Sequence, residues 1–282
     1  MAPETLSSDL DRRFGGLARL YGVDGAKKIR AAHVVVVGLG GVGSWAAEAL
    51  ARSGVARLSL IDLDHIAESN INRQIHALDN TLGQAKVQAM RERIAHINPA
   101  CDVRCIEEFV DASNWPDIVA LDTDADGPVS IIDACDQVKA KTAMAAWAIQ
   151  HNATHKTLQK MNFISVGAAG GKRHAHKVEI DDLALTTHDP LLAQLRYRLR
   201  KEQGAARQGK MGVSCVFSRE SVMQPGGSTA ENNSTAADGA TPGVVDSQSD
   251  GSLNCHGYGS VVTVTSTFGI CAAGWVLFKI AG

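Results

Sequence analysis

The sequence lacks any C-x-x-C pair, although it contains six cysteines. They are Cys101, Cys105, Cys135, Cys215, Cys255 and Cys271. Zinc knuckles take their ligands from closely spaced cysteine pairs, so this spacing argues against a four-cysteine zinc site. The N-terminus also lacks the apolar stretch of a secretory signal and carries Glu4, Asp9 and Asp11 instead. Both absences predict a cytoplasmic protein with free thiols rather than disulfides.

The chain has little net charge, with a formal value of -2 at pH 7. A nearly neutral chain has no general affinity for polyanions, so any contact with nucleic acid must come from a local basic patch. The 45% hydrophobic and 21% charged fractions are ordinary for a soluble protein. At 282 residues we expect one large domain, or one domain with an appendage.

One apolar segment, residues 257–278, contains no charged residue and is long enough to span a bilayer. It also contains five Ser and Thr residues between Ser260 and Thr267, and its first half alternates like a strand. We favour a buried or subunit-facing helix. Membrane association through this segment is the alternative.

Strands and helices alternate along the first part of the chain. Helices are predicted at 9–32, 41–53, 83–97 and 138–151, and strands at 33–37, 57–61, 102–106, 129–133 and 162–166. This order predicts an α/β fold with a doubly wound, Rossmann-like, mostly parallel sheet. Beyond Gly171 the segments "HKVEI" and "MGVSCVFS" predict two more strands, residues 190–203 a basic helix, and the C-terminal segment an apolar helix.

These patterns divide the chain into an N-terminal helical arm (1–32), a nucleotide-binding Rossmann-like core (33–171) and a substrate-facing extension (172–282). Residues 224–252 are rich in Gly, Ser, Thr, Ala and Asp and contain no aromatic residue. Such a segment buries too little apolar surface to offset the entropy lost on ordering. We therefore predict a disordered loop there.

A glycine turn, "GLGGVG", follows the first predicted strand. Gly38 permits the tight turn, Gly40 lets the backbone approach a phosphate, and Gly43 lets the next helix pack on the strand. Gly41 lies where the helix N-terminus offers its unpaired N–H groups to phosphates. Asp62, at the end of the second strand, is placed to bind ribose hydroxyls. The turn predicts a nucleotide site without choosing between NAD, FAD and ATP.

The segment "DLDHIAESNINRQ" and the lysine after it favour ATP. Arg73 and Lys86 are two cations expected in one pocket, where they suit a triphosphate and the charge that develops as pyrophosphate leaves. An NAD(P) oxidoreductase would not need them. Asn70, Gln74 and Asp64 complete the predicted nucleotide-binding set.

Two carboxylates, Asp133 and Asp136, follow the fourth predicted strand, so they are expected in the nucleotide crevice. Mg²⁺ is usually held by one or two carboxylates together with substrate phosphates. We predict Asp136 as the Mg²⁺ ligand. Asp133 either shares that crevice or satisfies backbone groups at the strand end.

Four segments carry a resemblance to a known family: "GLGGVGS", "DLDHIAESNINRQ", "GQAKV" and "DACD". In this order and spacing they resemble the E1-like adenylating family, which activates ubiquitin-like proteins and sulfur carriers. The segments "RRFGGLARLYG", "NRQIHAL", "VGAAGG" and "KMGVSCVFS" are similar to its tRNA threonylcarbamoyladenosine dehydratase branch.

The resemblance implies adenylation, with ATP and Mg²⁺, of the carboxylate of N6-threonylcarbamoyladenosine at position 37 of tRNA. Ring closure then follows with net loss of water. By motif position it assigns ATP binding to Gly41, Asp62, Asn70, Arg73 and Lys86, and Mg²⁺ to Asp136. It also implies a homodimer in which Arg13 or Arg19 reaches the neighbour's ATP, and sulfur-relay proteins as further partners.

For the tRNA we predict phosphate contacts from a basic segment that contains Arg196, Arg198, Arg200 and Lys201, with Lys172 added to it. A solvated helix face is the alternative.

Two rival functions stay open: an adenylating enzyme for a ubiquitin-like sulfur carrier, and a non-catalytic sulfur-relay scaffold. The missing C-x-x-C pairs and the basic segment favour tRNA. Cys215, in an apolar strand, is interpreted as a buried structural cysteine, with a thiol intermediate as the alternative.

Overall fold

The computed structural model describes residues 9–121, 129–154, 161–223 and 258–282. The strands are β1 His33–Val37, β2 Arg57–Ile61, β3 Asp102–Ile106, β4 Val129–Asp133, β5 Asn162–Val166, β6 Val178–Asp182 and β7 Ser214–Ser218. The α-helices are α1 Leu10–Phe14, α2 Gly16–Ala31, α3 Gly43–Arg52, α4 Lys86–Ile97, α5 Val138–Thr154, α6 Pro190–Glu202 and α7 Val262–Ala281. The predicted disordered loop at 224–252 lies outside the described residues.

The strands form one sheet in the order β3-β2-β1-β4-β5-β7-β6. All neighbours are parallel except β6, which runs antiparallel to β7. The predicted doubly wound, mostly parallel sheet is confirmed, and the strands after residue 172 extend this same sheet. Because the chain leaves β1 in one direction and resumes at β4 on its other side, their carboxyl ends border a topological switch point, where α/β proteins bind ligands.

Apolar side chains fill both sides of the sheet. Leu50 of α3, Met90 of α4 and Phe268 of α7 belong to one core cluster, and Met144 of α5 and Leu195 of α6 belong to the other. Burial on both faces explains why β1 consists of four valines after His33.

Two helices begin later than predicted, and the reason is local. The helix predicted from residue 41 begins at Gly43, and that predicted from residue 83 begins at Lys86. Gly83 has a positive φ of 80°, which belongs to a turn rather than a helix. At α6 the boundary is sharp, because Asp189 caps the helix by accepting the Leu192 N–H at 2.9 Å.

The C-terminal segment is helical from Val262, so the strand-like alternation of its first half was misleading. By length and composition α7 could cross a membrane, and it is the one such helix among the described residues. Half of its apolar window is buried inside the protein. Gly269 brings α7 against α3 so closely that a Cβ there would overlap the Val42 carbonyl oxygen. In this structure α7 is a core helix of the α/β layers.

Candidate active site

A cleft of about 370 Å³ lies at the carboxyl ends of the central strands. Ten of the predicted site residues line it: Gly38, Gly40, Gly41, Asp62, Asp64, Asn70, Arg73, Gln74, Lys86 and Asp136. They come from the loops after β1, β2 and β4 and from the start of α4. Residues distant in sequence are therefore brought together as the parallel sheet predicts.

The glycine turn is built with no space to spare at two positions. Gly38 has a φ of 86°, and a Cβ there would lie 2.9 Å from Ala134 and Cys135 backbone atoms. A Cβ on Gly43 would overlap the Gly38 carbonyl oxygen, so Gly43 supports the turn from behind rather than lining the cleft. At Gly40, by contrast, a Cβ would meet no atom within 4 Å. Gly40 thus lines the cleft with open space beside its backbone.

Asp62 ties the turn to the end of β2. Its carboxylate accepts the Leu39 N–H at 2.6 Å and the Asp64 N–H at 2.9 Å. Burial raises the pKa of Asp62, while Lys86 and these two N–H groups oppose that rise. The carboxylate is therefore oriented by backbone groups.

Lys86 extends into the cleft from the first residue of α4. Its Nζ lies 2.6 Å from Asp64 Oδ2 and 3.7 Å from Asp62 Oδ1, and its side chain is buried. A buried ammonium between two carboxylates is a localised positive charge with a fixed direction. Such a group can stabilise negative charge that develops on a phosphate.

Arg73 lies beside the glycine turn. Its Nη1 donates to the Ser69 carbonyl oxygen at 2.5 Å and to Asn72 Oδ1 at 2.9 Å. The stem of Arg73 packs against Gly41, where a Cβ would come within 3.1 Å of Arg73 Cγ. Glycine at this position therefore leaves room for the Arg73 stem beside the glycine turn.

Asn70 and Gln74 contribute differently, although both are buried in the cleft wall. Asn70 Oδ1 accepts the Ala67 N–H at 3.1 Å, so this amide shapes the loop itself. Gln74 Oε1 is buried and has no hydrogen-bond partner among the described residues. Asn70 is thus a loop-forming residue, and Gln74 keeps unused hydrogen-bonding capacity.

Asp136 lines the cleft from the loop after β4. No cluster of three or more metal-ligating side chains occurs in the described part of the chain. A single carboxylate still fits Mg²⁺, because this ion usually keeps waters and takes most other ligands from substrate phosphates. Asp62 and Asp64 on the other side of the cleft are occupied by Lys86.

Sequence reasoning missed three parts of the cleft wall. They are Glu108, Phe109 and Val110 after β3, Gly167, Ala169 and Gly170 after β5, and Ser260 just before α7 with Thr265 in its first turn. The first two parts follow strand ends, so the strand pattern could have revealed them. The third part could not be found this way, because nothing in the pattern places α7 beside the glycine turn.

Neither Arg13 nor Arg19, the arginines predicted to reach a neighbour's ATP, lines this cleft. Arg13 donates to the carbonyl oxygens of Ile97 at 2.7 Å and His96 at 3.4 Å, at the end of α4. Cations are favoured at a helix C-terminus, so Arg13 has a structural role within its own chain. Arg19 is exposed and makes no side-chain hydrogen bond within the described ranges.

The basic segment is only partly available to a ligand. Arg196 is held by the Leu183 carbonyl oxygen at 3.0 Å and the Thr186 carbonyl oxygen at 2.9 Å. Arg198 pairs with Glu202 at 3.2 Å. Arg200 makes longer bonds to the loop that follows α6, and Lys201 is exposed beside the Tyr197 ring. The outward-facing cations of α6 are therefore Arg198, Arg200 and Lys201.

Lys172 corrects the prediction for this surface. Its side chain is buried, and Nζ donates to the carbonyl oxygens of Glu220 at 2.8 Å and of His188 and Ser218 at 3.1 Å each. A lysine bound in this way cannot reach a tRNA phosphate, so its predicted phosphate contact is wrong. It links its own loop to the loop before α6 and to the end of β7 instead.

Cys215 lies on β7 with no exposed surface and does not line the cleft. Burial raises the pKa of its thiol well above the ordinary value. A buried thiol with a raised pKa is a poor nucleophile, which agrees with the structural interpretation of this residue.

Comparison with known proteins extends over almost the whole chain. A model of the ThiF family matches residues 12–280. The tRNA threonylcarbamoyladenosine dehydratase of Escherichia coli (strain K12) is 40% identical over 271 residues, which cover 95% of this chain and 93% of that protein. The protein of the same name from Haemophilus influenzae is 37% identical over 273 residues, 96% and 94% of the two chains.

A solved structure gives the same relationship. The crystal structure of the E. coli dehydratase TcdA in complex with ATP superposes with a TM-score of 0.77 at 37% identity. The superposition covers 97% of this chain and 96% of that one. The likeness therefore includes β6, β7, α6 and α7 and is not restricted to the glycine turn.

Proposed function

This chain belongs to the ThiF family, and on that premise we propose that it is an ATP-dependent tRNA threonylcarbamoyladenosine dehydratase. The observation that carries the proposal is the cleft itself. It unites the open backbone at Gly40 with Asp62, Arg73, Lys86 and Asp136, in a chain that resembles the dehydratases from end to end.

The proposed chemistry begins with the substrate carboxylate. One of its oxygens attacks the α-phosphorus of ATP, and the bond to pyrophosphate breaks. A nitrogen or oxygen of the same modification then attacks the activated carbonyl, loses its proton and displaces AMP. One carboxylate oxygen leaves on AMP, so the modified base loses the elements of water. AMP is a good leaving group, so this scheme needs no enzyme nucleophile.

Each cleft residue has a proposed part in binding or charge stabilisation. The turn at Gly40 and the N-terminus of α3 would face the phosphates, and Asp62 the ribose. Arg73 and Lys86 would stabilise charge on the departing pyrophosphate. Asp136 would hold Mg²⁺, which when bound neutralises phosphate charge.

The tRNA surface is proposed on the outer face of α6, within the region from residue 172 onward. Arg198 and Lys201 are the cations to test, because Arg196 and Lys172 are held by carbonyl oxygens. Changing both to Ala should weaken tRNA binding and lower the slope of log affinity against log salt by about one per lost phosphate contact. An unchanged slope would place the tRNA on another face.

Further partners are proposed from the family resemblance. We expect a homodimer in which Arg19 approaches the neighbour's ATP, since Arg13 is already bound to the end of α4. Sulfur-relay proteins are proposed as additional partners. We propose a cytoplasmic location, because α7 packs into the core rather than standing apart from it.

Adenylation of a ubiquitin-like sulfur carrier is the alternative, since it uses the same nucleotide chemistry. The experiment that separates the two incubates the protein with ATP, Mg²⁺ and tRNA bearing threonylcarbamoyladenosine, followed by nucleoside mass spectrometry. We expect loss of one water from the modified nucleoside, together with release of AMP. Lys86→Met and Asp136→Ala are the inactive controls. An unchanged nucleoside mass in the presence of folded, ATP-binding protein would refute the dehydratase function.

A further inference from the structure

A fully buried ion pair lies under the cleft without lining it. Lys141 Nζ of α5 is 3.0 Å from Asp133 Oδ1 at the end of β4, and neither side chain has any exposed surface. None of the steps above uses this pair.

The pair joins the ends of two neighbouring strands. Lys141 Nζ donates to the Val166 carbonyl oxygen at 2.8 Å, and it also lies 3.3 Å from both the Asp133 carbonyl oxygen and Ser165 Oγ. Ser165 Oγ donates to Asp133 Oδ2 at 2.7 Å. A single ammonium therefore bonds directly to the last residue of β4 and the last residue of β5.

Both strand ends lead straight into the cleft wall. Residues 134–137 follow β4 and carry Asp136, while Gly167, Ala169 and Gly170 follow β5. Neither loop has room to relax. A Cβ on Gly38 would lie 2.9 Å from backbone atoms of residues 134 and 135, and a Cβ on Gly167 would overlap the Asp189 carboxylate. A shift at Asp133 or Val166 would therefore be passed to the cleft.

Stability alone is a weak explanation for such a pair. Desolvation of two buried charges commonly cancels their attraction, and apolar replacements are often neutral or stabilising. Positioning of the cleft wall is a better explanation for the pair, because a misplacement of about 1 Å can cost an enzyme about 100-fold in rate.

We propose that Asp133 and Lys141 are positioning residues for the adenylation step, because they fix the two loops that form one wall of the cleft. The kinetic part of this inference rests on the proposed function. The structural part, that the pair holds residues 134–137 and 167–170 in place, can be tested without turnover.

The test uses the neutral double variant Asp133→Asn/Lys141→Met, which leaves no unpaired charge. The matched control is Glu48→Gln/Arg93→Met, which removes a partly buried ion pair, with its atoms 2.7 Å apart between α3 and α4. Amide hydrogen exchange is measured in residues 134–137 and 167–170. Steady-state AMP release with modified tRNA is measured in parallel.

We expect exchange in both loops to accelerate about tenfold or more in the first variant and to stay unchanged in the control. We also expect kcat to fall by about 10-fold to 100-fold, with the KM for ATP within about threefold. Unchanged exchange would overturn the positioning role, as would accelerated exchange with normal kcat. If wild-type protein gives no dehydrated nucleoside, the proposed function fails, and the exchange result alone then decides whether the pair holds the wall.

A milder variant covers the case in which the double variant does not fold. Ser165→Ala removes one hydrogen bond to Asp133 and leaves both charges in place. We expect a smaller acceleration of exchange in the same two loops and a decrease in kcat of about threefold or more. Wild-type values for both quantities would refute the proposal.

Discussion

Replacement of Gly40 by Ala separates nucleotide binding from folding. A Cβ at Gly40 meets no atom within 4 Å, and its backbone is outside the positive-φ region that favours glycine. The substitution should therefore stabilise the fold slightly, by about 0.4–1 kcal/mol, because it reduces the freedom of the unfolded chain. The added methyl group, however, projects from a glycine that lines the cleft.

The same substitution should weaken the binding of ATP although it stabilises the fold. If the backbone at Gly40 approaches a phosphate, the methyl group holds that phosphate away. We expect the Kd for ATP to rise about 10-fold to 100-fold, equivalent to about 1.4–2.8 kcal/mol. Isothermal titration with ATP and a thermal melt on the same sample measure both quantities. Wild-type ATP affinity in a folded Gly40→Ala protein would show that the phosphates do not rest on this turn.

Gly38→Ala is the comparison for this experiment. The positive φ at Gly38 costs an alanine about 1–2 kcal/mol, and its Cβ would also press on the backbone of residues 134 and 135. This variant should lose thermal stability, whereas Gly40→Ala should not. Equal melting temperatures for the two variants would contradict the geometry of the turn.

Three further substitutions, at Lys86, Phe109 and His76, have measurable expected effects. Lys86→Met should lower pyrophosphate release about 100-fold or more, because a buried ammonium no longer faces the phosphates; retention of most activity would exclude that role. Phe109→Ala should raise the KM for ATP about tenfold if this exposed ring at the rim stacks on the base, and an unchanged KM would place the base elsewhere. Burial, with smaller effects from Lys86 and Arg93, lowers the pKa of His76 to about 4. As the pH falls, His76 is therefore protonated in the unfolded chain before it is protonated in the folded protein. Stability should fall as pH drops from about 6.5 toward 4, by about 2 kcal/mol at pH 5, and His76→Phe should reduce that fall in chemical denaturation experiments.

Local patterns were sufficient for the sheet and for most of the cleft. Buried parallel strands are mostly apolar, so their positions could be predicted from the sequence. The carboxyl ends of such strands lie at one edge of the sheet, so Asp62 and Asp136 could be predicted to lie in the same cleft. Arg73 and Lys86 were predicted to join them, because two cations near one predicted phosphate-binding turn have few other uses. These inferences needed only residue order and the geometry of a parallel sheet.

The predictions that were wrong or missing depend on the burial of single side chains and on packing between elements distant in sequence. Lys172 and Arg198 look alike in the sequence, yet the first is enclosed by three carbonyl groups and the second faces outward. Thr265 reaches the cleft only because Gly269 lets α7 press against α3, which no local pattern encodes. The Asp133–Lys141 pair was also not predicted, because Asp133 ends β4, Lys141 lies on α5, and the ammonium also bonds to Val166 at the end of β5.

The position of Thr265 in the cleft wall affects when the cleft can form during protein synthesis. The glycine turn leaves the ribosome early, whereas the helix that carries Thr265 follows every strand of the sheet. During synthesis the N-terminal part of a chain can begin to fold first, but here one wall of the nucleotide cleft is still missing at that stage. A nascent chain would therefore acquire a complete cleft only when translation has passed α7, so ATP could not use the finished pocket to guide the folding of the earlier strands.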